Sequence, residues 1–127
     1  MEIDQVEAGV YVARAPARLD SAFIDAVLER IWSAPDWGQP WGLIIDVRDA
    51  QSYDPDVRKT RVPPKDRRAV GTAVVAEKTM HRLVIRSVGL GLKTLTGFEL
   101  SAHDELDGAI EHMRSAVATC REQGRDY

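Results

Sequence analysis

The sequence predicts an α/β fold: a single-layer, mostly parallel sheet opened by an N-terminal β-hairpin, with helices packed on it, in the order ββαβαβαβα. Two observations predict it. Short apolar, β-branched runs, WGLIID at 41–46 and AVGTAVV at 69–75, alternate with longer segments of helical period. That alternation is the mark of strand–helix–strand units. Finally, 127 residues with 44% hydrophobic and 29% charged side chains suit one domain with its own core. The domain is expected over 1–120, followed by the polar tail REQGRDY at 121–127.

Each element has its own signal. Residues 2–15 read as the hairpin. Glu7-Ala8-Gly9 supplies the turn, and Val10 and Val12 alternate with Tyr11 and Ala13. A helix is expected over 20–33, with Asp20 as N-cap and Leu19 and Ile24 as a hydrophobic staple. Ile24, Val27, Leu28 and Ile31 give it one apolar face. Pro35 and Gly38 lie beyond its end. WGLIID has no polar alternation until Asp46, as in a central strand buried on both faces. DAQSYDPD, residues 49–56, is a loop leading into a second helix, with Asp54 as cap and Pro55 in the first turn. Pro63-Pro64 must end that helix.

After the strand at 69–75, a helix is expected over about 77–92, with Met80, Leu83, Val84 and Val88 on one face and Gly89 and Gly91 weakening its end. TGFEL, 96–100, reads as a short strand. Ser101-Ala-His-Asp104 then reads as a capping-box variant opening a last helix over 102–120. The stripe of that helix is Leu106, Ala109, Ile110, Met113, Val117 and Cys120.

The net charge of -3 is unevenly placed. Residues 1–57 carry 11 acids and 4 bases, residues 58–103 carry 3 and 10, and residues 104–127 carry 6 and 3. A mildly acidic total argues against non-specific nucleic-acid binding. No apolar stretch approaches the roughly 20 residues that span a bilayer. The N-terminus MEIDQVEAGV lacks the basic start and apolar core of a signal peptide, so a cytoplasmic location is expected.

This order of elements resembles the STAS domain, the fold of bacterial anti-sigma-factor antagonists and of the wider SpoIIAA-like group with its SEC14-like relatives. The matching pieces are the hairpin, WGLIIDV, the DAQSYDPD loop, GTAVV and FELSAHDELDGAIEHM, spanning most of residues 2–118. The resemblance implies partner docking by the loop and helix around Ser52, Asp54, Asp56, Arg58, Lys59 and Arg61. Family antagonists carry a phosphorylatable Ser or Thr after an Asp that corresponds to Asp54. Here Pro55 and Asp56 follow instead, so binding without a phosphoswitch is expected.

Other candidate chemistry is weaker. Arg58, Lys59, Arg61, Lys65, Arg67 and Arg68 form a basic run with no interleaved aromatic residue. It reads as a solvated face or as a patch for phosphates, anionic lipid or an acidic partner. Asp46/Asp49 and Asp54/Asp56 follow the central strand, where α/β sheets bind ligands, but loop solvation and capping explain them as well. On the last helix His103 and Asp107 have ligand spacing, whereas His112, nine residues from His103, falls on another face. His81 stands alone. No metal site or cofactor is therefore expected. Cys120 lies on an apolar stripe, like a buried inert thiol. Trp32, Trp37 and Trp41 bracket one helix–strand connection, as a hydrophobic plug or an interface wall.

The expected function is a non-enzymatic, bacterial-type regulatory module that binds a protein partner or itself. A carrier of a small apolar ligand or lipid, of SEC14-like type, is the alternative. A small hydrolase using Asp46, Asp54 and a basic residue on a phosphorylated substrate ranks third, for want of a nucleophile motif.

Overall fold

Two interleaved sets of apolar side chains decide the architecture. Tyr11, Ala13, Leu43 and Ile45 point to one side of a sheet, while Val10, Val12, Ile44, Ala73 and Val75 point to the other. The computed structural model describes residues 2–7, 9–33, 41–54, 70–96 and 100–122. In chain order they form β1 (Glu2–Glu7), β2 (Val10–Arg14), β3 (Arg18–Leu19), α1 (Ser21–Trp32), β4 (Gly42–Asp46), β5 (Ser52–Tyr53), β6 (Thr72–Val75), α2 (Thr79–Thr96), β7 (Leu100–His103) and α3 (Leu106–Glu122). The main sheet has the order β1-β2-β4-β6-β7. β1 and β2 are antiparallel and every other pair is parallel, as expected.

Gly9 makes the hairpin possible. Its φ of 81° is a conformation that a side chain disfavours. β4 is buried along its whole length because both faces are covered. On one side Phe23, Val27 and Ile31 of α1 meet Tyr11, Leu43 and Ile45. On the other, Ala109, Met113 and Val117 of α3 meet Val12, Ile44 and Val75. Burial of a side chain the size of Ile44 stabilises by about 1.5–3 kcal/mol. Gly42 lets α3 come close: a Cβ there would lie 2.1 Å from the Met113 sulfur.

The cap of α1 is as the sequence predicts. The Phe23 N–H donates to Asp20 Oδ1 at 2.9 Å, and Leu19 and Ile24 pack against the same cluster. Several expectations need correction. The helix expected over 77–92 runs from Thr79 to Thr96, through both glycines. Gly89 marks a close contact rather than a weakened end, because a Cβ there would lie 2.9 Å from the Leu100 carbonyl oxygen. On the same helix Met80 and Leu83 are exposed rather than core-facing.

The last strand is Leu100–His103, not TGFEL at 96–100. Ser101 and His103 are consequently strand residues, not a capping box, and the last helix starts at Leu106, where the Ala109 N–H donates to the Glu105 carbonyl. It runs to Glu122, two residues into the expected tail. A two-stranded parallel ladder, β3 with β5, was not anticipated from the sequence. The helix expected after Asp54 lies outside the described residues.

Candidate functional site

The parallel strands end together. Arg14, Asp46, Val75 and His103 are consecutive register partners across β2, β4, β6 and β7. Backbone bonds continue the ladder past them: Ala15 N–H to the Asp46 carbonyl, Val47 N–H to that of Val75, and Ala76 N–H to that of His103. This carboxyl rim is where open α/β sheets bind ligands, and three of its four side chains are ionisable.

In the middle of the rim, Asp46 is 3% exposed. Arg48 reaches back two residues to meet it. Its Nε donates to Oδ1 at 2.9 Å and its Nη2 to Oδ2 at 2.8 Å, while its backbone N–H donates to Oδ1 at 3.1 Å. Burial by itself raises the carboxyl pKa. The Arg48 side chain and backbone bonds, with the charges of Arg48 and Arg14, outweigh it and leave Asp46 below its ordinary value. The partner guanidinium moves up, chiefly through its bonds to Asp46. Such a charge-assisted fork leaves the carboxylate few free lone pairs. Asp49, which the sequence pairs with Asp46, is exposed instead.

At the end of β6, Arg82 of α2 closes the turn. Its Nη1 donates to the Ala76 and Glu77 carbonyls at 2.8 and 2.7 Å, and its Nη2 to Thr79 Oγ1 at 3.1 Å. The end of β7 is more open. The Ser101 hydroxyl and His103 Nε2 are hydrogen-bonded at 2.9 Å. The His103 ring meets that of His112, with centroids 5.1 Å apart and planes at 51°. Burial, followed by His112 and Arg86, holds the His103 pKa below its ordinary value, and Asp104 opposes them.

The sequence placed these two histidines on different helical faces. They meet because His103 belongs to the strand. The overlooked signal is period two, which puts Ser101 and His103 on one face once the strand is set at 100–103.

Of the residues expected to bind a partner, Ser52 and Asp54 are described. Ser52 is exposed on β5, where its N–H donates to the Ala17 carbonyl at 3.1 Å. Asp54 N–H donates to the Leu19 carbonyl at 2.7 Å, and its carboxylate pairs with Arg18 at 2.8 Å. Asp56, Arg58, Lys59, Arg61 and the rest of the basic run lie outside the described residues. So does Trp37. Trp41 is buried in the core, edge-on to Tyr11 with centroids 6.4 Å apart, which suits the plug reading. Cys120 is buried on the α3 stripe. His81 is exposed on α2. Among the described residues, no three His, Cys, Asp or Glu side chains cluster as metal ligands, and no helix is long and apolar enough to cross a membrane.

No family model matches this chain, and no curated protein is significantly similar in sequence. In three dimensions the chain is similar to the crystal structure of an uncharacterized DUF3478-family protein with a SpoIIAA-like fold from Shewanella loihica PV-4. The TM-score is 0.62 and the identity 12%, over 88% of this chain and 90% of the other. A shared hairpin, parallel sheet and flanking helices at such low identity establish architecture alone. The chain has a SpoIIAA-like fold.

Proposed function

We propose that the protein is a non-enzymatic regulatory module that binds another protein or a second copy of itself. The observation that carries this reading is an apolar stripe on α2. Met80, Leu83 and Leu90 are 71%, 53% and 71% exposed. They recur at i, i+3 and i+10, on one side of the helix. Clustered large apolar side chains held out of the core mark contact surfaces.

The resemblance to anti-sigma-factor antagonists supports a second part of the surface, at Ser52, Asp54, Asp56, Arg58, Lys59 and Arg61. The β3–β5 ladder supports it too, by fixing Ser52–Asp54 just before that segment. With Pro55 and Asp56 in place of a phosphoacceptor, binding is constitutive. The fork from Arg48 to Asp46 speaks against the hydrolase reading, because it engages the best-placed acid on the rim.

The test is capture of the tagged protein from extract of its native cell, with proteins and small molecules identified by mass spectrometry. The expected result is one protein enriched over an untagged control, or the chain itself. That enrichment is lost on changing Arg58, Lys59 and Arg61 to Glu, without a change in thermal unfolding of the isolated chain. A copurifying lipid or metabolite with no enriched protein would replace this reading with the SEC14-like carrier.

A further inference from the structure

Sheet and helix bring two imidazoles together at the carboxyl end of β7, although they stand nine residues apart in the chain. The geometry points to a site for a divalent transition-metal ion, Zn²⁺ in the first instance, held by one ring nitrogen each of His103 and His112 with water completing the shell.

The spacing carries the inference. Two imidazoles bound to one tetrahedral ion at about 2.0–2.1 Å place their centroids roughly 5 Å apart. The His103 and His112 centroids are 5.1 Å apart. Both ligands stand on regular elements, the last residue of β7 and the second turn of α3, so closing the site orders little extra chain.

The Ser101 hydroxyl acts behind the ligand. When His103 Nε2–H donates to it, Nδ1 keeps its lone pair for the ion. A hydrogen bond on the far nitrogen is how metal-binding histidines are usually oriented. His112 is exposed, which leaves the ion a route in from solvent. Imidazole nitrogen selects zinc, copper and nickel over magnesium and calcium. With no third side chain among the described residues, the site is an open, exchangeable one rather than a structural centre.

The test is titration of untagged protein with zinc chloride at pH 7.5, by calorimetry and by the NMR signals of the histidine ring C–H groups. One ion per chain is expected, with the His103 and His112 signals moving together and His81 unmoved. Exposed His112→Gln should weaken binding at least tenfold without affecting the fold, and His103→Gln likewise. Ser101→Ala should cost about tenfold by freeing the ring. His81→Gln is the control and should bind like the parent chain. Non-saturating heats, or equal binding by His112→Gln and the parent, would overturn the site. So would loss of binding in His81→Gln.

Discussion

The carboxyl ends of β4 and β7 lie on one rim, yet they treat their polar side chains in opposite ways. Asp46 ends the central strand, and both helix layers cover it. Water cannot solvate its charge, so the chain supplies a guanidinium fork and a backbone donor. His103 ends the edge strand, where it is half-buried beside an exposed second imidazole. In the middle of the sheet a polar group must be fully answered from within, and it becomes structural. At the edge solvent shares that task, and nitrogen capacity is left for a ligand.

The comparison breaks most visibly at Arg48. Arg48→Ala should destabilise by about 3 kcal/mol at pH 7, because it strands a buried carboxylate that cannot turn to water. Asp46→Asn should cost less, about 1–2 kcal/mol, since the one-third-exposed guanidinium can swing into solvent. Urea unfolding of both variants checks the order.

The pH dependence follows from the same pair. The folded pKa of Asp46 lies below its ordinary 3.8. Its contribution is complete above the unfolded value and is lost as pH falls through the lower folded one. Arg48→Ala should therefore move acid unfolding to higher pH.

A second prediction uses the amino end of the same strand. Gly42→Ala should cost about 2 kcal/mol, because its methyl would overlap the Met113 side chain. That cost is one of volume, so it should not vary between pH 5 and 8. A matching pH dependence would show that the carboxyl end of β4 is not electrostatically special.

The smallest effect belongs to β7. A histidine with a lowered folded pKa penalises the fold as pH drops below its ordinary 6.5, where the unfolded chain takes up a proton that the folded chain resists. Thermal unfolding in metal-free buffer should fall from pH 7 to 5 more steeply for the parent than for His103→Gln. The difference should stay below about 1 kcal/mol. A larger one would make this end as structural as β4.

Much of this fold was legible because period reports burial. WGLIID read as a doubly buried strand because every residue is apolar until Asp46, and both faces of β4 are covered. Asp20, Leu19 and Ile24 announced the start of α1 because caps and staples are local. The end of the chain misled for the same reason. Gly89 and Gly91 look like a weakened helix end, and Ser101 to Asp104 looks like a cap, when only neighbouring residues are considered. The missing Cβ of Gly89 instead gives room for the Leu100 carbonyl of β7. Likewise Met80 and Leu83 have helical spacing whether their face turns to core or to solvent.

The sequence by itself determined the α/β class, the opening hairpin and the central parallel strands, the apolar faces of α1 and α3, and the acid at the end of the central strand. These follow from local period and from the need to bury apolar surface. Only the tertiary structure decided which polar groups meet. Arg48 folds back on Asp46, Arg18 pairs with Asp54, and His103 comes against His112 because β7 lies beside β6 and α3 crosses the sheet. Such contacts depend on strand register, and a shift of three or four residues in one short strand moves a histidine from a helix to a sheet.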